Sequence, residues 1–472
     1  THPRSSAASD VYKRQILVAL FKDKENIFMT TKSRHPETVA LHGGNFRTDI
    51  ATNAVAVPIY QTTSYEFNSC EHASNLFALK ELGNIYTRIM NPTNAVLEER
   101  VAALEGGMAA VALSSGQAAS AFSIQNVAKA GDNIVCSTDI YGGTWNLFNN
   151  TLRALGIDVR FADPSNPDNF KKLTDNKTRA YYAETLANPK LNVFPIEEVA
   201  NIGRKEGIPL IVDNTAAPII CKPFDYGAAV VIHSLTKWIG GHGTSVGGMI
   251  VDGGNFDWVA FPERQPFFNQ PDNSYHGVLW GEAIPKIFGV QIAFAIRARV
   301  VLLRDLGSAI APQNSFNLIQ GLETLPLRLK QHNSNAEHVA GFLKDHEEVS
   351  RIIYPKFFDG RSKQNAKKYL DGEYGSMIGI ELKKGVEGGK VFIDALKLHY
   401  HVANIGDARS LAIHPASTTH SQLTAEEQLK AGVTPGYIRL CVGLEHVEDI
   451  IEDLKIGLEA SSKVAGSSSS KN

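Results

Sequence analysis

The stretch Val230–Gly243, VVIHSLTKWIGGHG, decides how this chain is read. An apolar run stops at His233, and Ser234, Thr236, Lys237 and a group of glycines follow. A lysine with only a structural task belongs on a solvated face. Here it follows a buried strand, where an open parallel sheet gathers its ligands.

Reading outward, short apolar runs alternate with helix-like stretches from about Ala109 to Val251. AAVALSS (109–115), NIVCS, IDVRFAD, RAYYAETL, IPLIVDN, AAVVIHS and GGMIVDG read as strands. Several are continuous rather than alternating, as in strands covered on both faces. GQAASAFSIQNVAKA, ending before Gly131, and IEEVANIGRKEG read as helices between them, which gives the βαβ pattern of an α/β sheet. Past about Leu325 the pattern changes to an amphipathic helix (LRLKQHNSNAEHVAGFLKDH), short strands (MIGIEL, YIRLCVGLE) and a closing helix (VEDIIEDLKIGLEA), which predicts a smaller α+β domain.

Composition narrows the function. The chain has 472 residues, 43% hydrophobic and 20% charged, with a formal net charge of -2 and no basic stripe, so small-molecule chemistry is favoured over nucleic-acid binding. Cys70, Cys136, Cys221 and Cys441 are far apart and suit a reducing, cytoplasmic setting rather than a disulfide framework or zinc site. No apolar run reaches the roughly 20 residues of a membrane helix. Residues 1–28 precede the first methionine, resemble translated adapter sequence and are expected to be a non-native leader. The Ser-rich residues 461–472 are expected to form a flexible tail.

The polar residues cluster just after the strands: Ser114, Ser115, Tyr141, Glu184, Asp213 and Ser234 to Lys237. Lys237 can form an imine with a carbonyl cofactor. The turn SSGQ (114–117) at a helix start and the hydroxyls of Ser234 and Thr236 suit a phosphate. Asp213 can hold a pyridine nitrogen protonated, and Tyr141 can lie on a ring face. Each signal is weak alone; their order along the sheet gives them force.

With PIYQTTSYEF (58–67), YTRIMNPT (86–93), ALSSGQAAS (112–120), DIYGGTWN (139–146), ETLANP (184–189), VDNT (212–215), HSLTKWIGGHGTSVGG (233–248), IHPASTTHSQL (413–423) and RLCVGLE (439–445), the chain resembles the Cys/Met-metabolism family of pyridoxal-phosphate enzymes over roughly Thr38 to Leu458. The resemblance implies the aspartate-aminotransferase fold type. It further implies an N-terminal extension (29–85) reaching the neighbouring subunit, a cofactor-binding domain (86–324) and a C-terminal α+β domain (325–460). It makes Lys237 the Schiff-base lysine and proton carrier. Asp213 becomes the partner of the pyridine nitrogen, and Tyr141 the ring cover and a candidate for assisting proton transfer. Gly116, Gln117, Ser234 and Thr236 become phosphate contacts, and Asn188 the contact of the ring hydroxyl. Arg439 would bind the substrate carboxylate by a bidentate pair, with Asn404 also at the substrate. Tyr86 and Arg88 would reach the phosphate of a neighbouring subunit, making a dimer the smallest catalytic unit and a tetramer the expected assembly. HSLTK stands where many relatives have HSATK, and SSGQ where SSGM is commoner; both keep the hydroxyls and the lysine.

Within the family, NIGDARSLAIHPASTTH (404–420) with Arg409, Gly143 in place of a lyase cysteine, and a stretch at about 255–314 resemble the O-acetylhomoserine sulfhydrylase branch. That implies γ-replacement, turning O-acetyl-L-homoserine and sulfide into L-homocysteine and acetate. Cystathionine γ-synthase, methionine γ-lyase and a catalytically silent fold relative stay open as alternatives. So do acetyl, succinyl or phospho as the leaving ester, and sulfide or methanethiol as nucleophile.

Overall fold

A computed structural model describes residues 33–81, 83–419, 421, 424–430 and 432–465. The expected leader lies outside the described residues. So do His420, Gln422 and Leu423 of the 413–423 motif, and 466–472 of the expected tail.

The seven runs read as strands form one sheet: β1 (Ala109–Leu113), β2 (Asn133–Ser137), β3 (Asp158–Ala162), β4 (Thr178–Glu184), β5 (Leu210–Asp213), β6 (Val230–Ser234) and β7 (Gly248–Asp252), in the order β1-β7-β6-β5-β4-β2-β3. All neighbours are parallel except β7, which runs antiparallel to both β1 and β6. Side chains alternate between two buried layers, as the strand period of two requires. Ala112, Val135, Tyr181, Val212, Val231 and Val251 face one core. Val111, Ile134, Tyr182, Ile211, Ile232 and Ile250 face the other. Covering both faces explains why these runs read as continuously apolar.

A second sheet, in the order β10-β11-β12-β9-β8, follows the helix Leu325–Lys344. It comprises β8 (Val349–Ile353), β9 (Met377–Leu382), β10 (Tyr400–His401), β11 (Leu411–Ile413) and β12 (Tyr437–Cys441). It has its own core, in which Ile378, Ile380, Ile438 and Leu440 meet Leu454 and Leu458 of the closing helix. The fold is therefore a large, mostly parallel sheet carrying a smaller α+β unit, as expected.

Two details differ from the sequence reading. The helix after β1 ends at Gln125, not near Ala130. Asn126 turns its side chain to tertiary partners: its amide donates to Phe294 O at 2.9 Å and its Oδ1 accepts from Arg297 Nη1 at 2.8 Å. The closing helix runs Val447–Ser462, past the expected limit at 460, because Ser461 is buried. A third detail, on which the sequence reading was silent, is how the stretch 255–314 packs. Its Trp258, Phe268 and Phe294 are fully buried, with Trp258 4.3 Å from Phe268 and 5.4 Å from Phe294 between ring centroids.

All four cysteines are free. Among the described residues no helix is long and apolar enough to cross a membrane.

Candidate active site

The carboxyl ends of β1, β4, β5 and β6 open onto one cavity of about 260 Å³. Lys237, Tyr141, Asp213, Gly116, Gln117, Ser234, Thr236, Asn188, Arg439 and Asn404 all line it. Tyr86 and Arg88 do not. They sit together at the surface, Tyr86 40% exposed, with the Arg88 guanidinium 5.3 Å from the Tyr86 ring centroid and bonded to the Arg304 carbonyl.

The glycines after Lys237 now have a reason. Arg328, on the first turn of the helix Leu325–Lys344, is buried and donates to Trp238 O at 2.8 Å and Ile239 O at 3.1 Å. Gly241 lies at φ +69°, and a Cβ there would sit 2.2 Å from Arg328 Nη1. The turn that holds the lysine is thus clamped from beneath by a guanidinium, and only glycine lets it approach. Thr236 Oγ1 accepts from Gly247 N–H at 3.1 Å, and Thr215 Oγ1 accepts from Ser234 N–H at 2.8 Å.

Lys237 Nζ donates to Asn404 Oδ1 at 2.6 Å. The same asparagine's carbonyl accepts from Arg439 Nη2 at 3.0 Å, while Arg439 Nη1 donates to Asn188 Oδ1 at 3.3 Å. Burial, and secondarily the Arg439 charge, lower the proton affinity of Lys237 from the ordinary lysine value. An amine with a lowered pKa beside a guanidinium is suited to proton transfer on an amino acid.

Asp213 ends β5 and accepts from Thr215 N–H at 2.9 Å. Burial raises its pKa, and the Thr215 hydrogen bonds oppose that. A cationic ring nitrogen is the partner such a carboxylate lacks. The turn between β1 and its helix presses on β6 and β7: a Cβ on Gly116 would lie 2.6 Å from Ser234 Cβ, and one on Gly248 2.0 Å from Ser115 O. Ser115 caps the helix, its Oγ accepting from Ala118 N–H at 3.1 Å, and no acidic residue occupies the first turn. A helix N-terminus ringed by Ser234 and Thr236 fits a phosphate. The residues present therefore fit pyridoxal phosphate at both of its polar ends.

Sequence reasoning gave no role to other residues of the wall. Glu184 was noticed only as a polar strand end, and Thr144, Thr215 and Ser120 were not singled out. Gln117 Nε2 donates to Thr144 Oγ1 at 3.2 Å, and Ser120 Oγ meets Tyr182 OH at 3.1 Å. A contact across 27 residues carries no local pattern that a sequence reader could follow. His233 of the opening stretch faces the other way. Strand alternation sends it into the opposite layer, where its Nε2 meets Glu105 Oε1 at 2.6 Å with both residues buried.

Gly143 bears on Tyr141, since a Cβ there would stand 2.4 Å from Tyr141 Cε1. Gly143→Cys is expected to displace the ring and lower kcat by up to about 100-fold, the scale on which misplacing a group in an active site is felt. Steady-state kinetics with the visible spectrum of bound cofactor check this; an unchanged kcat would show that the ring needs no such room.

The model of the family described as Cys/Met metabolism PLP-dependent enzyme matches residues 37–459. An O-acetyl-L-homoserine sulfhydrylase of Leptospira meyeri is 52% identical over 90% of this chain and 96% of its own. A homocysteine synthase of Schizosaccharomyces pombe is 46% identical over 91% of this chain and 100% of its own. A solved structure from Campylobacter jejuni, described as a putative O-acetylhomoserine (thiol)-lyase and carrying a pyridoxyl-lysine monophosphate, superposes with a TM-score of 0.85 at 41% identity, covering 90% of this chain and 100% of that one. A cavity built around Lys237 and Asp213, at the strand ends where the sequence placed them, is thus met in a chain that belongs to the Cys/Met metabolism family of PLP-dependent enzymes.

Proposed function

We propose that this chain catalyses γ-replacement, converting O-acetyl-L-homoserine and sulfide to L-homocysteine and acetate. The observation that carries the reading is that Asn404 holds the Lys237 amine and the Arg439 guanidinium at one site, 2.6 and 3.0 Å from its two oxygens. That spacing suits an amino acid gripped by its carboxylate with its Cα near an amine. The names of the relatives at 52% and 46% identity support the substrate.

Pyridoxal phosphate, when bound, supplies an electron sink that makes carbon-bound protons near the substrate nitrogen acidic. Asp213 would hold the ring nitrogen and Asn188 the ring hydroxyl. Gly116, Gln117, Ser234 and Thr236 would hold the phosphate. Tyr141 would cover the ring. Arg439 pairs with the α-carboxylate through two N–H groups. Lys237, its pKa lowered by burial, takes the Cα proton at Nζ and returns it. Overall the Cγ–O bond to acetate breaks and a Cγ–S bond forms, with no net oxidation; one proton of hydrogen sulfide leaves with the acetate and the other stays on the product thiol. Tyr86 and Arg88, outside their own chain's cavity, complete the phosphate site of a neighbouring subunit, so the working unit is a dimer, paired into a tetramer. Four unpaired thiols suit the cytoplasm.

The test gives the purified, cofactor-loaded protein O-acetylhomoserine with and without sulfide and measures homocysteine. Homocysteine forming only when both are present, and faster than cystathionine forms when cysteine replaces sulfide, is the expected result. A preference for cysteine, or methanethiol released from methionine as the main activity, would overturn it.

A further inference from the structure

Glu184 ends β4 as Asp213 ends β5, and the two are register partners in parallel strands. By strand alternation both point to the same face, and both line the cavity. Neighbouring strands lie about 4.8 Å apart, so the two carboxylates stand side by side, Glu184 buried and Asp213 half-buried. Glu184 is only 7% exposed. Its Oε1 accepts from the backbone N–H of Tyr141 at 2.6 Å, and the N–H of Asn188 also points at it. Behind it lies a second cavity of about 100 Å³, bordered by Asp139, Asp163, Asn192 and Arg361. Among the described residues Glu184 is the one side chain that lines both.

We propose that Glu184 is a positioning residue: its carboxyl group fixes the Tyr141 backbone to the end of β4 and leaves the Glu184–Asp213 pair with one negative charge for the cofactor's ring nitrogen. The proposal rests on the cofactor reading above. Two adjacent carboxylates do not both ionise readily. Burial and Asp213 push the Glu184 carboxyl well above the usual carboxylate range. Burial raises Asp213 as well, opposed by its hydrogen bonds to Thr215 and by nearby His233. The other titratable groups facing Glu184 are Asp139, itself paired with Lys190 at 2.7 Å, and the buried Tyr182 and Cys136. None is a cation in contact with it. In the proposed arrangement the pair's proton resides on Glu184, which then serves as a neutral anchor held by the Tyr141 and Asn188 N–H groups.

A neutral anchor makes an unusual substitution pattern. Glu184→Gln keeps length, neutrality and an acceptor for Tyr141. Glu184→Asp keeps the acid but shortens the reach. The three variants Glu184→Gln, Glu184→Asp and Glu184→Ala are compared as holoenzymes by kcat, KM and the visible circular dichroism of the bound cofactor across pH. Expected is a Gln variant within about threefold of wild type in kcat, with Asp and Ala lowering kcat by about tenfold or more at nearly constant KM. The dichroism should follow kcat, because it reads how Tyr141 lies on the ring. An Asp variant better than Gln would mean that Glu184 acts as a charge, and would overturn the proposal. So would three variants with wild-type dichroism and kcat, or three equally impaired. Wild-type protein that takes up cofactor but makes no homocysteine would sink the sulfhydrylase reading alone, since the dichroism comparison does not depend on turnover.

Discussion

Lys237→Ala is expected to lower kcat by about 10⁴-fold, the upper end of what a positioned general base contributes. Among the described residues no other amine lines the cavity. Lys237 is the lysine that lines the cavity, and the nearest cation, Arg439, stays charged and cannot accept a proton. The clamp from Arg328 and the glycine turn hold the backbone without the side chain, so the variant should fold. Borohydride reduction followed by peptide mapping gives a second readout: cofactor should become fixed to the Lys237 peptide in wild type and to nothing in the variant. Cofactor fixed to another lysine, or a variant with more than a hundredth of wild-type kcat, would contradict the assignment.

Asp213→Asn is expected to cost about 100-fold in kcat, from the ~3 kcal/mol upper value of a hydrogen bond to a charged group. The change is nearly isosteric, and an asparagine oxygen can still accept from Thr215 N–H, so the local fold and cofactor uptake should survive. What is lost is the negative charge that keeps a ring nitrogen protonated. The bound cofactor's absorbance, followed against pH, should therefore respond differently from wild type even before turnover is measured. Equal kcat in the two proteins would remove Asp213 from the chemistry.

Much of this was legible in the sequence because parallel sheets make function local. A buried strand announces itself as an apolar run, and its end is where ligands meet the fold, so Asp213, Ser234 and Lys237 could be marked from a few residues of context. The antiparallel turn of β7 could not be read so: strand direction depends on which neighbour it meets, and GGMIVDG looks the same either way. Glu184 was visible as a polar strand end, yet its partner Tyr141 lies 43 residues away and is met through a backbone N–H that no side-chain pattern betrays. His233 shows the opposite failure. It sits beside Ser234 in sequence but in the other layer in space, and only strand alternation separates them. The stretch 255–314 resembled an insertion of one branch, and its packing, an aromatic buttress of Trp258, Phe268 and Phe294, could not be read from that likeness.

The grip on an amino acid is divided between two halves of the polypeptide. The amine comes from the loop after β6, and the guanidinium and its asparagine from β12 and the segment before β11. Neither sheet alone therefore presents both ends of the grip. The two halves also share one core, in which Met377, Leu411 and Tyr437 join Val212 and Val231, so a chain severed in the helix Leu325–Lys344 would recognise a whole amino acid only as a reassembled pair.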